Sequence, residues 1–288
     1  MLLHFLPLMK KNPGIFLAGL LLCAACSKKS PAQQSTTIPS PVDKGWKFET
    51  TPVWTDEFDI NGAPDAAKWG YDVGGSGWGN NELEYYTNST NNAKVENGKL
   101  LITARKETFS GMEYTSSRMI TKNKADFLYG RFEIKAKLPA GKGTWPAIWM
   151  LPTDWVYGDW PKSGEIDIME HVGYDLNTVH ISTHTQAYNH TINTQKTATK
   201  YVETATTAFH LYRVDWTPYA VRGFIDDVQI FEHINEGKGY STYPFDKKFH
   251  LLLNLAVGGN WGGLQGVDPT VFPATMEVDY VRVYKMIE

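Results

Sequence analysis

Apolar and polar residues alternate with period two over much of the chain. Residues 131–138, Arg-Phe-Glu-Ile-Lys-Ala-Lys-Leu, alternate without a fault, and residues 100–105 and 278–284 follow the same rhythm. Successive side chains of a strand point to opposite faces, so this period predicts half-buried strands. Residues 209–216, 221–231 and 249–257 are strand-like as well, with Asp226-Asp227 turning a hairpin. The nearly all-apolar run 249–257 reads as a central strand covered on both faces. Gly and Asn clusters at 74–81 and 258–266 mark loops, and only 64–69 looks like a short helix. Many strands with no helix between them predict an all-β fold, an antiparallel sandwich or barrel. No internal repeat or second linker interrupts it.

One stretch departs from plain alternation. In Gly164-Glu165-Ile166-Asp167-Ile168-Met169-Glu170-His171, Glu165 and Asp167 share a face, but Glu170 falls five positions from Glu165. A regular strand would turn it to the other side. One extra residue in a bulge near 168–169 returns it to the face of the other two acids. Three carboxyl groups in a row suit glycosidic bond cleavage, where one attacks the anomeric carbon and another protonates the leaving oxygen. A carboxylate between them raises the pKa of its neighbours. A polar-out, apolar-in surface strand accounts for the same residues without chemistry.

The flanking segments offer groups suited to sugars. Trp145 and Trp149, four apart, share one strand face directly before the acids, as groove floor or as core. Residues 77–86 form a loop rich in amide, acid and aromatic groups, and Gly259-Asn260-Trp261-Gly262-Gly263 is similar. His180 and His184 are four apart, but the residues between them look extended, so a hydrogen-bonding histidine fits better than a zinc ligand. No nucleophile elbow, phosphate loop or dinucleotide fingerprint is present.

Composition narrows the class. The 288 residues are 42% hydrophobic with a formal net charge of -3, which gives no hint of nucleic-acid affinity. Lys10 and Lys11 precede an apolar run from 15 to 25 that is too short to span a bilayer. Leu22-Cys23-Ala24-Ala25-Cys26 resembles a bacterial lipoprotein signal. Residues 1–25 are therefore read as signal peptide, with Cys26 lipidated and the protein exported and membrane-anchored. Residues 26–45 are a flexible tether of Ser, Thr, Pro, Gln and Lys, and 46–288 form the folded domain. Both cysteines lie in the first segment, so no disulfide staples the fold.

Residues 54–285 resemble glycoside hydrolase family 16, and within it the bacterial laminarinase-like endo-β-1,3-glucanases. The resemblance runs through Trp54-Thr55-Asp56-Glu57-Phe58, Asn80-Asn81-Glu82, Tyr129–Glu133, Trp145–Leu151, the acid strand in its longer bulged form, 209–216, 254–259 and 278–284. It implies a β-jelly-roll sandwich of two stacked curved antiparallel sheets with an open concave substrate cleft. It implies Glu165 as nucleophile, Glu170 as acid/base and Asp167 as the residue tuning the pair. Trp145, Trp149, Arg118, Asn80, Glu82, His184 and Trp261 would line the cleft. A structural calcium would sit on Glu57, the Gly98 carbonyl and Asp279, and catalysis would need no cofactor. The substrate would be a β-glucan polysaccharide, the protein a monomer, and its only membrane contact the lipid. Rival readings are the same fold on agar- or porphyran-type polysaccharide, a non-catalytic surface glycan-binding protein, and a transglycosylase. One departure is Glu84, where such proteins carry Gln; a charge there would alter a sugar subsite.

Overall fold

The computed structural model describes residues 41–287. The signal segment, Cys26 and the tether up to residue 40 lie outside them. Of the tether's remaining residues, Asp43 already touches the domain, accepting from Arg222 at 2.6 Å.

Two sheets stack into a sandwich. The first has seven strands, in the order Lys196–Tyr201, Thr178–His184, Glu165–His171, Thr144–Pro152, Phe249–Val257, Arg118–Ile120 and Gly70–Tyr71. The second runs Val228–Ile234, Ala220–Ile225, His210–Trp216, Gly130–Lys137, Ala274–Tyr284, Leu100–Phe109, Met112–Ser116 and Glu84–Tyr86, with two short strands added. All its pairings are antiparallel except Glu84–Tyr86 against Met112–Ser116, which is parallel.

Gly130–Lys137 buries every second residue, as its alternation predicts. Phe132, Ile134 and Ala136 meet Ile148, Met150, Leu251, Leu253 and Leu255 of the other sheet in one core, all fully buried. Each such Leu or Ile contributes about 1.5–3 kcal/mol by leaving water. Phe249–Val257 is buried at all nine positions because it lies inside its sheet with chain on both faces. The hairpin turn falls at Asp226 and Asp227, both at positive φ (48° and 63°), as a two-residue turn requires.

The short helix expected at 64–69 does not form. The amides of Lys68 and Trp69 both donate to the Asp65 carbonyl, and Trp69 Nε1 is tied to Asp56 at 2.8 Å. That buried indole ends the turn, and the next residues pair as a strand. Among the described residues there are only two short 3-10 turns and no α-helix.

Candidate active site

The acid strand, Glu165–His171, lies between the tryptophan strand Thr144–Pro152 and Thr178–His184. Gly164 starts it at φ +89°, and a Cβ there would sit 2.7 Å from Pro244, so glycine sets the entry angle. Across from it, Ile148 pairs with Met169 and Trp149 with Asp167, which leaves Ile168 without a partner. That is the bulge, and it lets Ile168 and Met169 both enter the core. Glu165, Asp167 and Glu170 consequently all line one cleft of about 400 Å³.

Each outer acid is held by an indole. Trp160 Nε1 donates to Glu165 Oε2 at 2.8 Å, and Trp145 Nε1 donates to Glu170 Oε1 at 3.1 Å. Asp167, only 2% exposed, lies between them in sequence and beneath them in burial. His184 is the cross-strand partner of Glu165, and its Nε2 lies 3.3 Å from Asp167 and 3.8 Å from Glu165. His180 is paired with Glu170 in the same way.

The electrostatics follow from crowding acids away from water. Burial, reinforced by the Asp167 charge, pushes Glu165 up to about 8. Burial also pushes Glu170 up to about 7, with Glu165 adding repulsion. Asp167 is raised as well, first by burial and then by Glu170. Three such groups cannot all ionise together, so they share protons and titrate as a set. The indole of Trp160, by donating to Glu165, favours charge on that member of the set.

The cleft wall mixes predicted and unpredicted residues. Trp145, Trp149, Arg118, Asn80 and Glu82 all line it. Arg118 is stacked between Trp78 and Trp149, 4.8 and 4.7 Å from their ring centres, and pairs with Asp72 at 3.0 Å. Trp261 stands behind this wall, edge-on to Trp145 at 5.5 Å and to His180 at 4.8 Å, and so braces Trp145. Trp155, Trp160, His190 and Asn254 also line the cleft, and the sequence reading named none of them for the site. Asn254 accepts from Trp149 Nε1 at 2.7 Å and fixes that ring.

One expectation is corrected. Glu84 does not face a sugar subsite: it is fully buried, with Oε2 accepting from the Val257 amide at 2.6 Å. Residues 80–84 pair with 257–260 instead of forming a free loop, which turns Glu84 inward. Of the residues expected to hold calcium, Glu57 and Asp279 each make a side-chain ion pair. Both Glu57 oxygens accept from Arg282 at 2.8 Å, and Asp279 pairs with Lys135 at 3.0 Å.

Known proteins share this arrangement of chain. The model of glycosyl hydrolases family 16 matches residues 80–282. The beta-glucanase of Rhodothermus marinus is 54% identical over 244 residues, covering 82% of this chain and 85% of that protein. The glucan endo-1,3-beta-glucosidase A1 of Niallia circulans is 40% identical over 258 residues, covering 81% of this chain but only 37% of that longer protein. The X-ray structure of the laminarinase from Rhodothermus marinus superposes with a TM-score of 0.82 at 53% identity, covering 84% of this chain and 99% of that one. The crystal structure of SCLam, a non-specific endo-beta-1,3(4)-glucanase, superposes at 0.78 with 45% identity, covering 86% of this chain and 96% of that one.

Proposed function

This chain belongs to glycosyl hydrolases family 16, and we propose that it is a retaining endo-glycosidase hydrolysing β-1,3-glucan, with mixed-linkage β-1,3-1,4-glucan as a second substrate. The observation that carries the reading is the bulged strand, which turns Glu165, Asp167 and Glu170 into one aromatic-walled cleft. The relatives' names support the β-1,3 linkage, and the SCLam likeness supports the mixed one.

The reaction runs in two displacements. A glucan chain lies along the cleft with its rings against Trp145, Trp149 and Trp160. Glu165 attacks the anomeric carbon, forming a glycosyl ester, while Glu170 gives its proton to the departing glycosidic oxygen. Glu170, now a base, takes a proton from water, and the hydroxide equivalent opens the ester and frees Glu165. Configuration is retained because two inversions cancel. Asp167, buried beside Glu165, tunes the pair by sharing protons with it, and the Trp160 N–H favours the microstate in which Glu165 carries the charge. The raised pKa of Glu170 keeps its proton available near neutral pH.

Glu165→Gln should abolish reducing-sugar release from laminarin while folding is kept. Substantial turnover by pure variant would end the nucleophile assignment. Parallel product analysis on laminarin, lichenan and agarose separates the glucanase reading from one in which another polysaccharide is cut.

We also propose export and lipid anchoring at Cys26, with the enzyme working as a monomer whose membrane contact is that lipid alone. Lys10, Lys11 and the apolar run 15–25 support this. Labelled palmitate should enter the wild type and not Cys26→Ser; equal labelling of both would overturn it.

A further inference from the structure

A second pair of carboxyl groups lies apart from the acid strand. Glu82 lines the cleft, and Glu84, two residues on, is fully buried behind it. Glu82 is held on both oxygens, accepting from Asn80 Nδ2 at 3.1 Å and from the Tyr86 hydroxyl at 2.9 Å. Glu84 accepts from the Val257 amide through Oε2 at 2.6 Å, but its Oε1 is buried and meets no donor. The acid nearest to it in sequence, Glu82, is buried as well, and its charge acts on Glu84.

Two bare carboxylates do not share a dry place, since each is desolvated and they repel. A proton on Glu84 Oε1 removes the second charge and turns an orphaned acceptor into a donor aimed at Glu82. Burial first, and the Glu82 charge next, hold the Glu84 carboxyl well above the usual carboxylate range. The ionisable groups around it are Glu82 and Tyr86 on its own segment, Tyr114 opposite it on Met112–Ser116 with Glu113 adjacent, and Arg118 on the far side of Tyr86. The central strand presents only the Val257 amide and Asn254, neither of which titrates.

We propose that Glu84 is a positioning residue that stays a neutral carboxylic acid in the folded protein and donates to Glu82. It thereby fixes Glu82, beside Asn80, as a hydrogen-bond acceptor for sugar hydroxyls. The effect reaches the cleft floor. The Tyr86 hydroxyl accepts from Asn254 Nδ2 at 3.0 Å, and Asn254 in turn holds Trp149. Ionising Glu84 would set a charge against Glu82 and loosen this chain of bonds. The sugar-binding half of the proposal rests on the glucanase reading; the proton on Glu84 does not.

Glu84→Gln imitates the neutral acid, since its amide can donate to Glu82 and its oxygen can accept from Val257. Melting temperatures of wild type and E84Q are compared from about pH 4.5 to 9. A raised acid is protonated when folded, so its stability contribution is full below the unfolded value and is lost as pH rises toward the folded one. The Tm of E84Q should therefore gain on wild type as pH rises. A difference that stays constant with pH overturns the proton on Glu84. Binding of a laminari-oligosaccharide is measured by calorimetry in Glu165→Gln, with and without E84Q. Affinity should weaken several-fold more toward alkaline pH when Glu84 is present; identical pH dependence in both overturns the positioning role. If neither variant binds the oligosaccharide at any pH, the glucanase reading fails, and the melting curves still decide the proton.

Discussion

Replacing Trp160 by Phe keeps an aromatic surface and deletes one donor, the indole N–H that reaches Glu165 at 2.8 Å. A hydrogen bond to a charged group contributes about 1.5–3 kcal/mol. The Glu165 side chain is 16% exposed, so water recovers part of that loss, and the lower end of the range applies. About 1.4 kcal/mol is one pKa unit, so the nucleophile should hold its proton about one unit longer. Below its ionisation, the fraction of enzyme with a charged nucleophile falls tenfold per unit. On the alkaline side, activity is limited instead by the proton on Glu170, which Trp160 does not touch. The predicted W160F enzyme therefore loses about fivefold more kcat/KM on laminarin at pH 5 than at pH 9, where part of its Glu165 still holds a proton. Trp145→Phe, in the same assay, is the mirror control: it frees Glu170 to hold its proton longer and gains at the alkaline end. Loss by W160F that is equal at every pH would mean the ring serves only as a sugar platform, and the electrostatic reasoning would be wrong.

Acid should weaken the fold through its buried histidines. His171, His233 and His250 are each held down to about 4 by burial, against an ordinary value of 6.5. A depressed group contributes stability above its unfolded value and loses it as pH falls toward the folded one, here between 6.5 and 4. The ceiling is about 3 kcal/mol per residue. His171 Nε2 accepts from the Asn177 amide at 3.1 Å, a bond Gln could keep. His171→Gln should lose fewer degrees of Tm than wild type between pH 7 and 4.5, and equal losses would refute the assignment.

Much of the fold is legible from alternation alone. Residues 131–138 form a half-buried strand because period two matches the pleat, and Asp226-Asp227 turns because both tolerate positive φ. The bulge is legible too, since only an extra residue reconciles Glu165 with Glu170. Trp160 is not, because it sits in the 153–164 connection, and nothing local says that this connection folds back over the acid strand. Asn254 was hidden by its neighbours. With His250 it is one of two polar residues in an otherwise apolar, fully buried strand, and such a residue has to find partners, which is the available signal. Glu84 misled for a related reason. Gly and Asn at 77–81 suggest a loop, whereas residues 84–86 are a strand, preceded by a bridge from Glu82 to Gly258.

The unpaired Ile168 separates two things that usually change together. Removing one residue at 168 or 169 would leave five residues from the first Glu to the last, and plain alternation would still present every acid to the cleft. The lost side chain would be missed only inside the sandwich. A lineage can thus lengthen or shorten this strand by one unit and retune its hydrophobic interior, leaving the sugar-cutting surface untouched.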